Sequence, residues 1–324
     1  MLKRFVVLLT CVATPGLADI DDVLTDHIAP GYSTLVEATA HLSNVAEETC
    51  APEAITPAFH TAYDAWIRIS HIQFGPLEDQ GLALAMSFWP DPKDSTGKAI
   101  ARLTRFADPI VNAPDQFGEV SAAAQGFTAL ERLLYDPQPD AEYACKFVRA
   151  VAEGLSRKAM ALESAWPAFA DRMTTAGASG NARFQSDEEV NRALYTALST
   201  GLEFLHDQRL GRPLGSFERP RPRRAEARRS ERSLRHIVLT LNALEDLTTT
   251  FFDGDLSETK AAFAAAKERA ASLDDPALAG VANPVERIRV EALQRTVNDI
   301  RNAVNEEIGK PLGITAGFNS LDGD

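Results

Sequence analysis

Apolar residues recur along this chain at helical spacing, and no segment sustains the period-two alternation of a half-buried strand. The pattern predicts an all-α protein. A helix is expected over 19–49, and another after Pro52 and Pro57 from Ala58 to His71. Gly75-Pro76 ends the second helix, and Glu78 follows in a loop expected to fold back over a site. A rigid turn at Phe88-Trp89-Pro90-Asp91-Pro92 precedes a helix over 95–107. The next helix runs from Gly126 to the stop at Asp136-Pro137.

From Ala141 a long pattern continues to about Met173, with Phe147, Val151, Leu155, Ala159 and Leu162 as its stripe; Pro167 is expected to kink it or cap a second piece. Small and polar residues follow, which places a boundary between about 174 and 186. Ser186 and Glu189 read as a capping box for a helix reaching about His206, and 209–222 reads as loop. Arg229 and Ser230 are expected to open the next helix, whose stripe is Leu234, Ile237, Val238, Leu241, Leu244, Thr248 and Phe251. A helix over 257–272 follows. Asn283-Pro284 starts the last helix and is followed by Val285, Ile288, Ala292, Val297, Ile300, Val304 and Ile308 as its apolar positions. The tail is apolar for a terminus, so Ile314, Phe318 and Leu321 are expected to dock and to fix Asn319, Ser320 and Asp322 in place.

The chain has 324 residues, 45% hydrophobic and 24% charged, which suits about two domains with real cores. Lys3 and Arg4, the apolar run 5–12 and Pro15-Gly16-Leu17-Ala18 have the form of a signal peptide cleaved after Ala18. The domains are then 19–175 and 186–324, and the expected location is the periplasm. No later stretch has the length and apolarity of a membrane span. Losing Lys3 and Arg4, with no acidic residue in the leader, takes the formal charge from -13 to -15. That charge argues against nucleic acid as a partner and suits cations. Cys11 leaves with the leader. Cys50 and Cys145 remain, an even pair in an oxidising compartment, and are expected to bond at a gain of roughly 3 to 5 kcal/mol.

Candidate chemistry centres on Glu131. Phe127, Leu130, Leu133 and Leu134 form an apolar arc with Glu131 at its border, so a carboxylate is held at the edge of a core and needs a proton, an arginine or a metal as partner. On the earlier helix His60, Asp64 and His71 fall within about 40° of one another, a face that suits either metal ligation or core hydrogen bonds. His27 and His41 read as surface histidines. Ten arginines between Arg209 and Arg235 read mainly as a solvated, ion-paired face, with Arg229 and Ser230 the best candidates to turn inward.

The order of Trp66 to Glu78, FWPD at 88–91, GFTALERLLYD from Gly126, AEARRSERSLRHI from Ala225 and the GFNSLDGD tail around Phe318 resembles the imelysin family of bacterial envelope proteins. The matches span nearly the whole mature chain. The resemblance implies two helical domains, each akin to a four-helix bundle, with a site where they meet, in a family linked to iron uptake and named after a protease. The family motif Gly-x-His-x-x-Glu appears here with Gly126 and Glu131 but with Thr128 in place of the histidine, and a hydroxyl is a poor first-row metal ligand.

Three functions are consistent with these residues. The leading one is an exported, non-catalytic binding protein tied to iron or another metal, working with envelope iron-uptake components. Its expected metal ligands are Glu131, His71, Glu78 and Asp64, and its ligand site adds Gly126, Thr128, Arg229, Ser230, Asn319, Ser320 and Asp322. The second is a scaffold or small polar-ligand binder in which Thr128 donates a hydrogen bond and Glu131 pairs with an arginine such as Arg229. The third is a metallopeptidase, although no His-Glu-x-x-His occurs in the chain.

Overall fold

The computed structural model describes residues 19–314. The leader and the tail segment bearing Phe318, Asn319, Ser320, Leu321 and Asp322 lie outside the described residues. Within them the chain is helical, with an isolated β-bridge between Ser216 and Arg219 and no strand. A helical run starts at Ile20, passes through a π-helical stretch at Val23–Ile28 and continues as α1, Ala29–Glu48. Helix α2 is Pro52–Ile69, α3 is Ser95–Arg105, α4 is Gly126–Tyr135 and α5 is Ala141–Thr174. Helix α6, Asp187–Glu203, leads into a second π-helical stretch at Phe204–Leu210; α7 is Ser233–Phe251, α8 is Ser257–Ala271 and α9 is Pro284–Val304.

Helix α1 packs against α2 and α5, and α4 against α5. On the other side α8 pairs with α9, while α6 packs on α7 and α9. The two groups meet where α2 and the Val23–Ile28 stretch lie against α7, and buried side chains run without a break from Val23 to Ile308. Each large apolar side chain taken fully inside contributes roughly 1.5 to 3 kcal/mol, so this shared core sets the angle at which the two groups abut. The predicted stripe of α5 is buried throughout.

Several local expectations are corrected. No second capped piece forms at Pro167: α5 continues through it, because Trp166, Phe169 and Met173 beyond it are buried and hold the turn. Ser186 makes no side-chain cap bond, and Glu189 instead accepts from the amide of Gln185 at 2.7 Å. The segment from Arg209 is not all loop, since it begins inside the π-helical stretch and adds a helical turn at Gly211–Leu214. Arg229 and Ser230 lie in turns ahead of α7. Val285 and Ile288 stand exposed on the first turns of α9, although the rest of the helix buries Val297, Ile300 and Val304.

Asn283 caps α9 as its position predicts, its side chain accepting from Val285 N at 2.9 Å. Ile314 packs partly buried on the core. Cys50 and Cys145 are bonded across 95 residues with their Cα atoms 5.2 Å apart, which ties the entry to α2 onto α5.

Candidate functional site

Helix α4 can only begin where it does with glycine at its first position. Gly126 has φ +73°, and a Cβ there would run into the carbonyl oxygens of Ala85 and Met86. This close approach seats α4 against the turn carrying Ser87 and Trp89. One turn on, Glu131 is buried at 3% exposure. Its Oε1 accepts from the Ser230 amide at 2.9 Å and from Ser230 Oγ at 2.8 Å. One oxygen of this buried carboxylate is thereby satisfied by donors supplied from 99 residues away. The expected pairing of Glu131 with Arg229 is corrected, because Arg229 Nε reaches Asp136 Oδ1 at 2.7 Å instead. Ser230 sits in a turn whose amide and hydroxyl point together at α4, while the long Arg229 side chain extends past them.

Thr128 continues the polar wall. Its Oγ1 lies 3.1 Å from Ser87 Oγ, which lies 3.2 Å from Tyr63 OH. The Tyr63 ring stacks on Phe127 with centroids 4.7 Å apart and meets the edge of His236 at 4.5 Å. Burial, then the nearby Glu226 and Glu131, hold the Tyr63 phenol well above its ordinary range, so it stays protonated.

A second buried carboxylate was not singled out as an inward group by sequence. Glu226 Oε2 accepts from Arg209 Nε at 2.7 Å and faces His236 Nδ1 at 3.0 Å, and all three residues are buried. Burial alone would raise the Glu226 pKa, but the Arg209 guanidinium and His236 outweigh it and bring it down to about 2. The only signal for this triad was a Glu amid ten arginines with a histidine ten residues on, a spacing that means nothing until the turns between 211 and 232 are known.

The four expected metal ligands are separated by their partners. Glu131 is held by Ser230. Asp64 bridges Arg232 and Arg235, the second at 3.1 Å. Glu78 is exposed, in a short helical turn at Pro76–Asp79, and pairs with Arg183 at 3.0 Å rather than covering the site. His71 lies past the end of α2, so the helical wheel does not carry it to His60 and Asp64. His60 Nε2 instead meets Tyr135 OH at 2.8 Å. Among the described residues no three histidine, cysteine or acidic side chains group so as to hold a metal ion.

His71 makes a different contact. Its Nε2 lies 2.8 Å from His27 Nε2, and His27 Nδ1 lies 2.7 Å from Asp246 Oδ2. His27 is buried, contrary to the surface role expected of it, because the π-helical stretch turns it into the junction with α7. Burial, followed by His27 and Arg209, pushes the His71 pKa well below the ordinary imidazole range. The carboxylate of Asp246 can only accept, so His27 Nδ1–H donates to it, and one of the two facing Nε2 atoms donates to the other.

Above Glu131 opens a polar cleft of about 80 Å³. Trp89, Asp91 and Thr128 line one side, and Arg212, Arg223, Arg224 and Arg228 line the other. Asp91 is taken up at the start of α3, accepting from Ser95 N and Thr96 N at 2.8 Å each. Arg132 and Arg229 also border the cleft but are paired with Asp94 and Asp136. The arginine run is thus partly a set of ties between the two helix groups and partly a cationic wall, not only a solvated face.

The class is that of all-helical proteins, here with a buried carboxylate where two helix groups meet. A family model described as Imelysin matches residues 28–304, and the chain belongs to the imelysin family. It is similar to the crystal structure of an imelysin-like protein from Psychrobacter arcticum 273-4, with a TM-score of 0.75 and 21% identity over 92% of this chain and 96% of that one. It is also similar to a protein from Parabacteroides distasonis ATCC 8503 named as an iron-regulated protein A precursor, with a TM-score of 0.69 and 13% identity over 88% and 92% of the two chains. At these identities the likeness shows the shared fold. Curated proteins give no match. No helix among the described residues is long and apolar enough to cross a membrane.

Proposed function

We propose that this chain is an exported, non-catalytic binding protein of the periplasm, linked to iron or other metal uptake, and that its ligand occupies the cleft over Glu131. The observation that carries this reading is the junction itself. One half of the fold supplies Glu131 and Thr128, and the other supplies Ser230 and the arginines, so a ligand there touches both halves at once. The domains 19–175 and 186–324 are the two bodies that such a ligand would bridge.

Of the two binding modes, a small polar ligand is favoured over direct metal coordination by Glu131, His71, Glu78 and Asp64. Each of those side chains already has a separate partner, and Thr128 offers a hydroxyl rather than an imidazole beside Glu131. The tie to metal then rests on the family and on the iron-regulated name of a structural neighbour. No observation favours peptidase chemistry.

Fractionation of cells expressing the full chain, followed by native mass spectrometry of the protein without prior dialysis, tests both parts. The expected result is a processed chain beginning at Asp19 in the periplasmic fraction, carrying a small-molecule adduct that Thr128→Val weakens. A full-length cytosolic chain would overturn the export. A wild-type protein with no adduct, and with no heat on titration by small anions, would overturn the ligand site.

A further inference from the structure

The cleft presents two kinds of unmet chemistry at once, and together they specify a ligand class. Both Ser230 hydrogen bonds fall on Glu131 Oε1. Oε2 makes no hydrogen bond among the described residues, yet Glu131 lines the cleft, so its inner end offers a carboxylate acceptor. Its wall is cationic. Among the described residues Arg212, Arg223, Arg224 and Arg228 have no carboxylate within ion-pair distance, in a chain whose formal charge is -13.

Like charges gathered this way repel one another. Burial and the neighbouring Arg224 lower the Arg212 pKa, and burial with Arg229 and Arg223 lowers that of Arg228, partly offset by Glu131 and Asp136. Guanidinium forks are shaped to take planar carboxylates in pairs of hydrogen bonds, and four of them outnumber what a single carboxylate can use. The acceptor at Glu131 excludes a ligand that is anionic all round, because an anion placed against Oε2 would be repelled.

We propose that the cleft holds a small dicarboxylate bearing a hydroxyl between its two carboxylates, with the carboxylates on Arg212, Arg223, Arg224 and Arg228 and the hydroxyl donating to Glu131 Oε2. This rests on the reading of the cleft as a ligand site and gives that ligand its chemistry. Trp89 forms the apolar side against which a short carbon chain lies, and Thr128 Oγ1 stands beside Glu131 as a further polar contact. The site discriminates by difference. A ligand lacking the hydroxyl leaves Oε2 dry and unpaired, which costs affinity beyond the lost bond.

Isothermal titration of the mature chain at low salt with L-malate, with succinate and with inorganic phosphate tests this, using wild type, Arg224→Gln and Arg228→Gln. Arg224 is exposed and makes no side-chain hydrogen bond among the described residues, so its variant is expected to fold, and a melting curve checks both. Malate is expected to bind one to one, roughly tenfold or more tighter than succinate, and to weaken by about tenfold in each variant. Succinate binding as tightly as malate, or malate binding unchanged in both variants, overturns the proposal. Phosphate binding without malate binding also overturns it while leaving a ligand site over Glu131. Silence from all three compounds, with no adduct on the native protein, removes the ligand site as well.

Discussion

Arg229 holds Asp136 at 2.7 Å, just past the C-terminal end of the helix that Ser230 grips through Glu131. Two adjacent residues of one turn therefore clamp α4 at two points, one dry and one wet. The arginine pair is part exposed, at 17% and 40% for its two side chains, whereas Glu131 is 3% exposed. The two contacts should differ in worth accordingly. Arg229→Ala is expected to lower stability by no more than about 1 kcal/mol. Ser230→Ala removes one of the two donors on a buried carboxylate and should cost about 1 to 3 kcal/mol. Urea midpoints of the two variants check the order; equal losses would mean that Glu131 is wetter than its burial implies.

Glu226, Arg209 and His236 are buried together, and removing one partner leaves a charge that water cannot reach. Arg209→Met is expected to cost about 3 to 5 kcal/mol. The double variant Arg209→Met with Glu226→Leu should recover much of that loss, because the buried charges leave together. A double-mutant cycle read by denaturant unfolding gives the coupling, and simple additivity would contradict a buried pair.

The disulfide closes a long loop between the entry to α2 and α5. Replacing both cysteines by serine should lower stability by about 4 kcal/mol in the chain-entropy picture. The helices on each side remain packed through α1, so the far-ultraviolet spectrum should be unchanged while the melting midpoint falls.

Much of this architecture was readable from spacing because long amphipathic helices advertise their buried face. The stripe of α5 and the Gly126 start of α4 follow from the residues alone, as does the pairing of Cys50 with Cys145. What stayed hidden shares one physical cause. Arg209 and His27 lie in π-helical stretches, where i to i+5 bonding rotates the face by a residue and defeats a wheel drawn at ordinary pitch. Glu226, Arg229 and Ser230 lie in irregular turns, where periodicity says nothing of direction. The partners also come from far along the chain, Asp246 lying 219 residues from His27. His71 escapes the helical wheel for a simpler reason: α2 ends at Ile69, short of it.

Those histidines give the stability its pH dependence. His60 is brought down to about 4 by burial, then by the Arg232 charge and His236, with Asp64 opposing, and His71 is pushed well below its ordinary value chiefly by burial. An unfolded histidine takes a proton near pH 6.5. Between pH 6.5 and about 4 the unfolded chain therefore binds protons that the folded one refuses, and the balance shifts toward unfolding as acid is added. The contribution is complete above pH 6.5 and declines below it. Glu226 behaves oppositely in range: held to about 2, it stabilises fully above its unfolded value near 4.5 and loses this only as pH falls toward 2. The fall in urea midpoint between pH 7 and pH 5 should accordingly belong to the histidines, and His60→Gln should flatten it, while Glu226→Gln should leave that window's slope nearly intact and change the profile below pH 4.5. A slope between pH 7 and pH 5 that survives in His60→Gln combined with His71→Gln would show that these two imidazoles are not what titrates there.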